Sequence, residues 1–159
     1  MLRVSVPCVV TFHQRGSNMF NAIVVGADGS ETARRAVEAA TRLAQNFGAT
    51  LHIVSAYDAK SFEAPGSSEF QALTNESDVE ALLQSLSFIS KGEAVTTEVH
   101  SRKGNPADAL LDVAERVGAD LVVVGNRGMK GVRRVLGSVP NSVAHGAQCS
   151  VLIVDTVSE

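Results

Sequence analysis

A glycine-rich, basic segment follows the most apolar stretch of the chain. The sequence GNRGMKGVRRVLGS occupies residues 125–138, directly after the apolar run DLVVV. Glycine lacks a Cβ and adopts positive φ readily, so consecutive backbone amides can converge on one anion. The segment is also locally cationic in an acidic chain, through Arg127, Lys130, Arg133 and Arg134. Together these features predict a site for a phosphorylated ligand.

The two ends of this segment offer different anion-binding groups. Gly125 and Gly128 are expected to form a concave nest of amides, whereas Gly137 and Ser138 open a helix whose N-terminal amides favour a phosphate. The alternative is a loop that only reverses the chain direction and exposes its arginines to solvent. The loop sequence by itself leaves this alternative open. Neither the GxxxxGK[ST] loop nor the GxGxxG dinucleotide fingerprint is present.

Asp28 follows the first apolar run and is the acidic residue expected nearest the glycine segment. A carboxylate would repel phosphate, so we expect Asp28 to accept hydrogen bonds from ribose hydroxyls or a base edge. Helix capping is an equally weighted alternative, because Asp28 and Glu31 have capping-box spacing, and the two roles are compatible. With one acidic group and no evident metal-holding carboxylates, we expect nucleotide binding with slow or no hydrolysis.

The elements that position these residues alternate regularly between apolar runs and helical-period segments. Such alternation predicts an α/β domain with a parallel sheet and helices on both faces. Five strands suit a doubly wound sheet, for which the order 3-2-1-4-5 is expected. Ligands of such sheets bind beyond the carboxyl ends of strands, where the strand order reverses. The strands are predicted at 21–27, 50–57, 94–101, 120–125 and 150–157. The helices are predicted at 30–47, around 79–89, from Pro106 to Gly118 and from Ser138 onward.

Size and composition fit one soluble domain. The chain has 159 residues, 45% hydrophobic and 19% charged, with a net charge of −3 and 4% aromatic residues. Nucleic-acid and membrane-surface binders usually carry a basic excess, so neither partner is expected. Cys8 and Cys149 are predicted to be reduced thiols of a cytoplasmic protein. The four histidines show no metal-ligand spacing, so structural or surface roles and no metal site are expected.

The first 18 residues are predicted to be a disordered extension. They hold one early arginine and a short apolar patch interrupted by Pro7, too weak for a signal peptide. The sequence MFNAIVVGADGS begins at Met19 and is typical of the start of a folded domain. The domain is therefore predicted at residues 19–159.

Three sequence blocks resemble the universal stress protein family, in its ATP-binding form. They are VVGADGSETA at 24–33, VVVGNRGM at 122–129 and LGSVPNSVA at 136–144, with CSVLIV at 149–154 in agreement. The resemblance extends over residues 20–156. Nucleotide-binding members carry G-x2-G-x9-G-[S/T]; here eight residues, rather than nine, separate Gly128 from Gly137.

The resemblance implies a Rossmann-like fold that binds ATP, with or without Mg²⁺; AMP, ADP and cyclic AMP remain open. It implies adenine and ribose contacts from Ala27, Asp28 and Ala56, and a base pocket lined by Val124. The phosphates would be held by Gly125, Gly128, Gly137, Ser138 and Val139. The implied role is a stress-response regulator or sensor acting on an unidentified protein partner. A slow ATP-hydrolysing enzyme and a nucleotide-free interaction module are the alternatives.

The last predicted strand, SVLIVDTV, lies at one edge of the sheet. An apolar edge strand invites pairing with another chain. Antiparallel pairing of two copies would cover it, and the family resemblance also points to a homodimer. A monomer whose edge is protected by Asp155 and Glu159 is the alternative.

Overall fold

The predicted five-stranded parallel sheet is confirmed. The computed structural model describes residues 18–57, 76–126 and 137–156. All pairings are parallel, and the strand order is β3-β2-β1-β4-β5. The strands are β1 (Ala22–Gly26), β2 (Thr50–Tyr57), β3 (Thr97–Lys103), β4 (Leu121–Gly125) and β5 (Ser150–Val154).

In the described parts of the chain, four helices cover the two faces of the sheet: α1 (Glu31–Phe47), α2 (Glu76–Gly92), α3 (Pro106–Val117) and α4 (Ser138–Gly146). The buried residues form two clusters. One joins α1 and α2 to strand residues such as Val25 and Ile53, and the other joins α3 and α4 to strand residues such as Val24 and Val122. Successive side chains of a strand point to opposite faces, so β1 and β4 contribute to both clusters and are apolar throughout.

Helices α1 and α3 begin and end where the sequence predicts. The Asn105 side chain accepts a hydrogen bond from the amide of Ala107 at 2.8 Å, and Pro106 occupies the first turn. Gly48 and Gly118, which follow the two helices, have φ of 63° and 61°. This left-handed conformation favours glycine and closes the last turn of each helix.

Serines dilute the apolar face of α2, yet two of them are buried. The Ser87 hydroxyl donates to the carbonyl of Gln84 at 2.8 Å, and the Ser90 hydroxyl to that of Ser87 at 3.0 Å. Ser90 also accepts from the Thr97 hydroxyl of β3 at 2.7 Å. These bonds satisfy the buried hydroxyl groups and connect the helix to the edge strand.

Strand β3 begins later than predicted, at Thr97 rather than at residue 94. Ala94 has φ 56°, and the amide of Val95 donates to the carbonyl of Ser90, so these residues close α2 instead of extending a strand. The strand then continues to Lys103, through charged residues that the prediction excluded. Because β3 is at the sheet edge, as expected, these charges reach solvent.

The predicted extension, residues 1–18, falls almost entirely outside the described residues, which start at Asn18. Over the described parts of the chain, we find no helix of the length and apolar character needed to cross a membrane.

Candidate functional site

Asp28 and Gly125 lie at the same edge of the sheet. Strands β1 and β4 are parallel neighbours, with Val25 paired to Val123, so their carboxyl ends point the same way. Gly125 is the last residue of β4, and Asp28 lies two residues beyond the end of β1. The strand order reverses between these two strands, which is where α/β sheets usually bind ligands.

The turn after β1 is fixed by backbone and side-chain hydrogen bonds. The amide of Ala27 donates to the carbonyl of Val54 in β2 at 2.8 Å. Asp28 Oδ1 accepts from the amide of Ser30 at 3.0 Å and from its hydroxyl at 2.5 Å. Gly29, between them, has φ 81°, a conformation that most side chains disfavour.

The capping-box interpretation of Asp28 and Glu31 is wrong in its details. The N-cap of α1 is Ser30, whose hydroxyl oxygen accepts from the amide of Ala33 at 3.1 Å. Glu31 is the first helical residue and pairs with Arg34 and Arg35. Asp28 therefore supports the helix indirectly, by orienting its capping serine.

Two residues predicted to contact the base or ribose, and one predicted to hold the phosphates, share the sheet face covered by α3 and α4. Val124 belongs to the buried cluster of that face, and the half-buried Ala56 and Val139 pack against the cluster. They come from β2, β4 and the first turn of α4. The arrangement supplies apolar surface beside the carboxyl ends of β1 and β4.

The start of α4 has no side-chain cap. Gly137 is the N-cap residue, with φ −60° and ψ 163°, and the first helical residues are Ser138, Val139 and Pro140. The amide of Asn141 donates to the Gly137 carbonyl at 3.1 Å. Amides in the first turn of a helix have no intrahelical acceptor, so those of Ser138 and Val139 are suited to an anion.

Arg127 and Gly128 lie outside the described residues, as does the rest of the segment 127–136. At Gly125, the absence of a Cβ has a packing cause. An added Cβ would lie 2.6 Å from Thr32 Cγ2 and 3.3 Å from the Thr32 carbonyl oxygen. Gly125 does not have a positive φ, so close approach of α1 to β4 explains the glycine here.

Asn126 is a site-positioning residue that the sequence analysis missed. Its side chain is only 6% exposed. Its Oδ1 accepts from the amide of Thr156 at 2.9 Å and from the Thr156 hydroxyl at 2.7 Å, and its Nδ2 donates to Asp155 Oδ1 at 2.7 Å. These bonds hold the chain after β5 against the chain after β4, and so fix where the glycine segment begins.

A second polar cluster also escaped the sequence analysis, which gave the histidines separate roles. His52 Nδ1 lies 3.1 Å from His100 Nε2 and 3.5 Å from Glu98 Oε2. Burial is the main cause that lowers the pKa of both imidazoles; Glu98 opposes the shift in each, while Arg102 adds to it at His100. Residues of adjacent strands meet through the sheet register, which short sequence spacing does not reveal.

The model of the universal stress protein family matches residues 19–155. The chain belongs to the universal stress protein family. The resemblance seen in the sequence is thereby confirmed, together with the α/β fold that it implied.

Curated relatives and solved structures agree with this assignment. A universal stress protein of Mycobacterium tuberculosis is 35% identical over 143 residues, which cover 86% of this chain and 97% of the relative. One from Methanocaldococcus jannaschii is 30% identical over 145 residues, 89% of this chain and 85% of the relative. A universal stress protein crystallised with cAMP is 35% identical, with a TM-score of 0.71, covering 87% of this chain and 99% of that structure.

Proposed function

We propose that this member of the family binds an adenine nucleotide, with ATP the leading candidate, at the carboxyl ends of β1 and β4. The observation that carries the proposal is the convergence of three kinds of group on one edge of the sheet. These are a carboxylate at Asp28, apolar surface at Val124 and uncapped helix amides at Ser138. The cAMP complex of a relative 35% identical to this chain supports the same ligand class.

Each part of an adenine nucleotide has a complementary group. Ribose hydroxyls would donate to the Asp28 carboxylate, and the base would rest on the apolar surface of Ala56 and Val124. Phosphates would accept from the amides of Ser138 and Val139, with Gly125, Gly128 and Gly137 giving the backbone close access and Arg127 adding positive charge. Where Mg²⁺ accompanies ATP, phosphate oxygens of the nucleotide would be its ligands.

The proposed role is regulation rather than catalysis. Asp28, the acidic residue expected at the site, accepts two hydrogen bonds from Ser30 and would accept further ones from ribose, which is a structural and binding role rather than that of a base. Hydrolysis would need a base and a positioned water. We therefore expect a cytoplasmic nucleotide sensor, a homodimer through β5, that signals to a protein partner. A vacant interaction module of the same fold is the competing function.

Titration calorimetry with ATP, ADP, AMP and cAMP, with and without Mg²⁺, tests the proposal. We expect one nucleotide per chain, and loss of binding when Gly128→Val places a side chain against the phosphates. Gly92→Val is the matched control, because Gly92 has nothing within 4 Å of an added Cβ. Nucleotide affinity that survives Gly128→Val would contradict the phosphate assignment.

Hydrogen exchange and phosphate release test the regulatory part. Bound ATP should lower amide exchange across residues 126–137, because phosphate contacts order that backbone. Phosphate release should remain near background at saturating ATP. Release that disappears in Asp28→Ala, with nucleotide still bound, would instead favour the slow ATP-hydrolysing enzyme.

A further inference from the structure

Two histidines and a glutamate meet on one face of the sheet, at its β3 edge. In the register of β2 and β3, His52 is paired with Glu98 and Val54 with His100. Paired residues point to the same face, as do residues two apart in one strand. His52, Glu98 and His100 therefore project together, and their nearest ligand atoms all lie within 4.8 Å of one another.

The distances suit a common metal ion. Zinc bound at 2.0–2.2 Å by nitrogen and oxygen in tetrahedral geometry separates its ligand atoms by about 3.3–3.6 Å. His52 Nδ1 lies 3.1 Å from His100 Nε2, slightly below that range, and 3.5 Å from Glu98 Oε2, within it, and all three ligand atoms lie within 4.8 Å of one another. Glu98 has a side-chain exposure of 59%, so small torsional changes can bring its carboxylate into place.

We propose that His52, His100 and Glu98 bind a Zn²⁺ ion. Two imidazoles and one carboxylate form a ligand set typical of zinc sites that keep a position for water. Imidazole donors also favour zinc over Mg²⁺ and Ca²⁺, which prefer all-oxygen ligands. Because Glu98 is largely exposed, the remaining coordination position faces solvent.

The surroundings of the cluster favour neutral imidazoles, which metal binding requires. His52 is only 5% exposed, and an imidazolium taken out of water is unfavourable. Arg102, two residues beyond His100 in β3, has its Nε 3.5 Å from Asp112 Oδ2 of α3. This pairing offsets part of the positive charge that would otherwise oppose a metal ion.

The competing interpretation is a simple hydrogen bond between two neutral rings, for which 3.1 Å is also suitable. In that case one ring nitrogen donates its N–H and the other accepts the hydrogen bond. In the zinc complex both nitrogens present lone pairs to the ion, and the shared hydrogen leaves or moves to the opposite nitrogen of its ring.

The zinc site is separate from the proposed nucleotide site. His52 precedes Ala56 by four residues of an extended strand, about 13 Å along β2, and His100, paired with Val54, lies about 7 Å before the level of Ala56. Loss of one site should leave the other intact, so the two proposals can fail independently. Zinc would join β2 to the edge strand β3, and binding to the folded state alone would raise thermal stability.

Calorimetry of the chelator-treated full chain with ZnCl₂ tests the proposal, in a Cys8→Ser, Cys149→Ser background that removes thiol ligands. We expect one zinc per chain. Glu98→Gln and His100→Gln should each weaken affinity more than about 100-fold, since even outer-sphere partners of a metal are worth 10- to 100-fold. His145→Gln, at an exposed histidine of α4, is the matched control and should bind as the parent does.

Two further measurements distinguish the site from a hydrogen-bonded pair. Nitrogen NMR should show His52 Nδ1 and His100 Nε2 shifting on addition of Zn²⁺, but not of Mg²⁺. Zinc should also raise the melting temperature of the parent and not that of Glu98→Gln, a largely exposed position whose replacement preserves the fold. Equal zinc affinity in the parent and both ligand variants, or unchanged ring nitrogens, overturns the proposal.

Discussion

Gly125 at the end of β4 packs directly against Thr32 in the first turn of α1. A Cβ at position 125 would lie 2.6 Å from Thr32 Cγ2, closer than nonbonded carbon atoms approach. The glycine thus lets the sheet and the helix that starts beside Asp28 come together. Packing against Thr32 therefore explains the glycine at position 125 without any bound phosphate.

Replacing Gly125 with alanine should destabilise the fold by about 1–3 kcal/mol, the usual cost of overpacking. Thr32→Ala removes Cγ2, so the double variant should recover much of that loss. Urea unfolding of the four proteins of this cycle measures the coupling. Gly92→Ala, where an added Cβ has nothing within 4 Å, should be neutral or slightly stabilising. Additive effects of the two substitutions would contradict the packing explanation.

The ionisation of Glu31 is expected to make the free energy of unfolding depend on pH. Its hydrogen bond with Arg34, assisted by Arg35, lowers the pKa of the carboxyl from 4.5 to about 2. The folded pKa lies below the unfolded one, so the stabilisation is complete above about pH 4.5 and is lost as the pH falls towards 2. Because the group is exposed, we expect a small effect that high salt weakens.

Thermal denaturation of Glu31→Gln and wild type from pH 7 to about pH 2 measures this contribution. The variant should melt below the wild type at pH 7, and the two should converge as the pH falls through the window. Glu115→Gln, an exposed acidic residue of α3, controls for the loss of one negative charge. A constant difference between Glu31→Gln and wild type at all pH values would exclude linkage to this carboxyl.

The sequence predicted the features that depend on local chemistry. The cap at Asn105 and the stops at Gly48 and Gly118 follow from residue type, and unbroken apolar runs indicate strands covered on both faces. The expected strand order, 3-2-1-4-5, is also confirmed, and it brings together the two strands that are followed by unusual residues. Local patterns therefore located the carboxyl edge of the sheet.

The features that escaped prediction depend on contacts between distant segments. Asn126 meets Thr156 only because β4 and β5 end side by side. His52 meets His100 only in one particular strand register, since a shift of one residue would turn them to opposite faces. At the start of α1, Asp28 and Ser30 are both good capping residues, and the sequence alone does not choose between them. In the structure the N-cap is Ser30, which follows Gly29 in its positive-φ conformation.

The exposed edge of β5 is the surface through which we expect two copies to pair. Leu152, in the middle of this strand, is 37% exposed, whereas its neighbours Val151 and Ile153 pack inward. A glutamate at position 152 would face its copy across an antiparallel pair, and like charges there are destabilising. Leu152→Glu should shift the molar mass in light scattering from dimer to monomer. Phe88→Glu, at the exposed Phe88 of α2, should remain dimeric. A wild-type protein with the molar mass of a monomer in light scattering would contradict the expected homodimer.

Asp120 joins the starts of two central strands. Its Oδ2 accepts from the amides of Asn21 and Ala22 at 2.6 and 3.0 Å, immediately before and at the first residue of β1. Asp120→Ala should lower the free energy of unfolding by about 1–3 kcal/mol, because the half-buried amide of Ala22 loses its acceptor. Asp120→Asn keeps one carbonyl oxygen and should lose less. Urea unfolding measures both variants, and an alanine variant as stable as the wild type would show that water replaces the carboxylate at no cost.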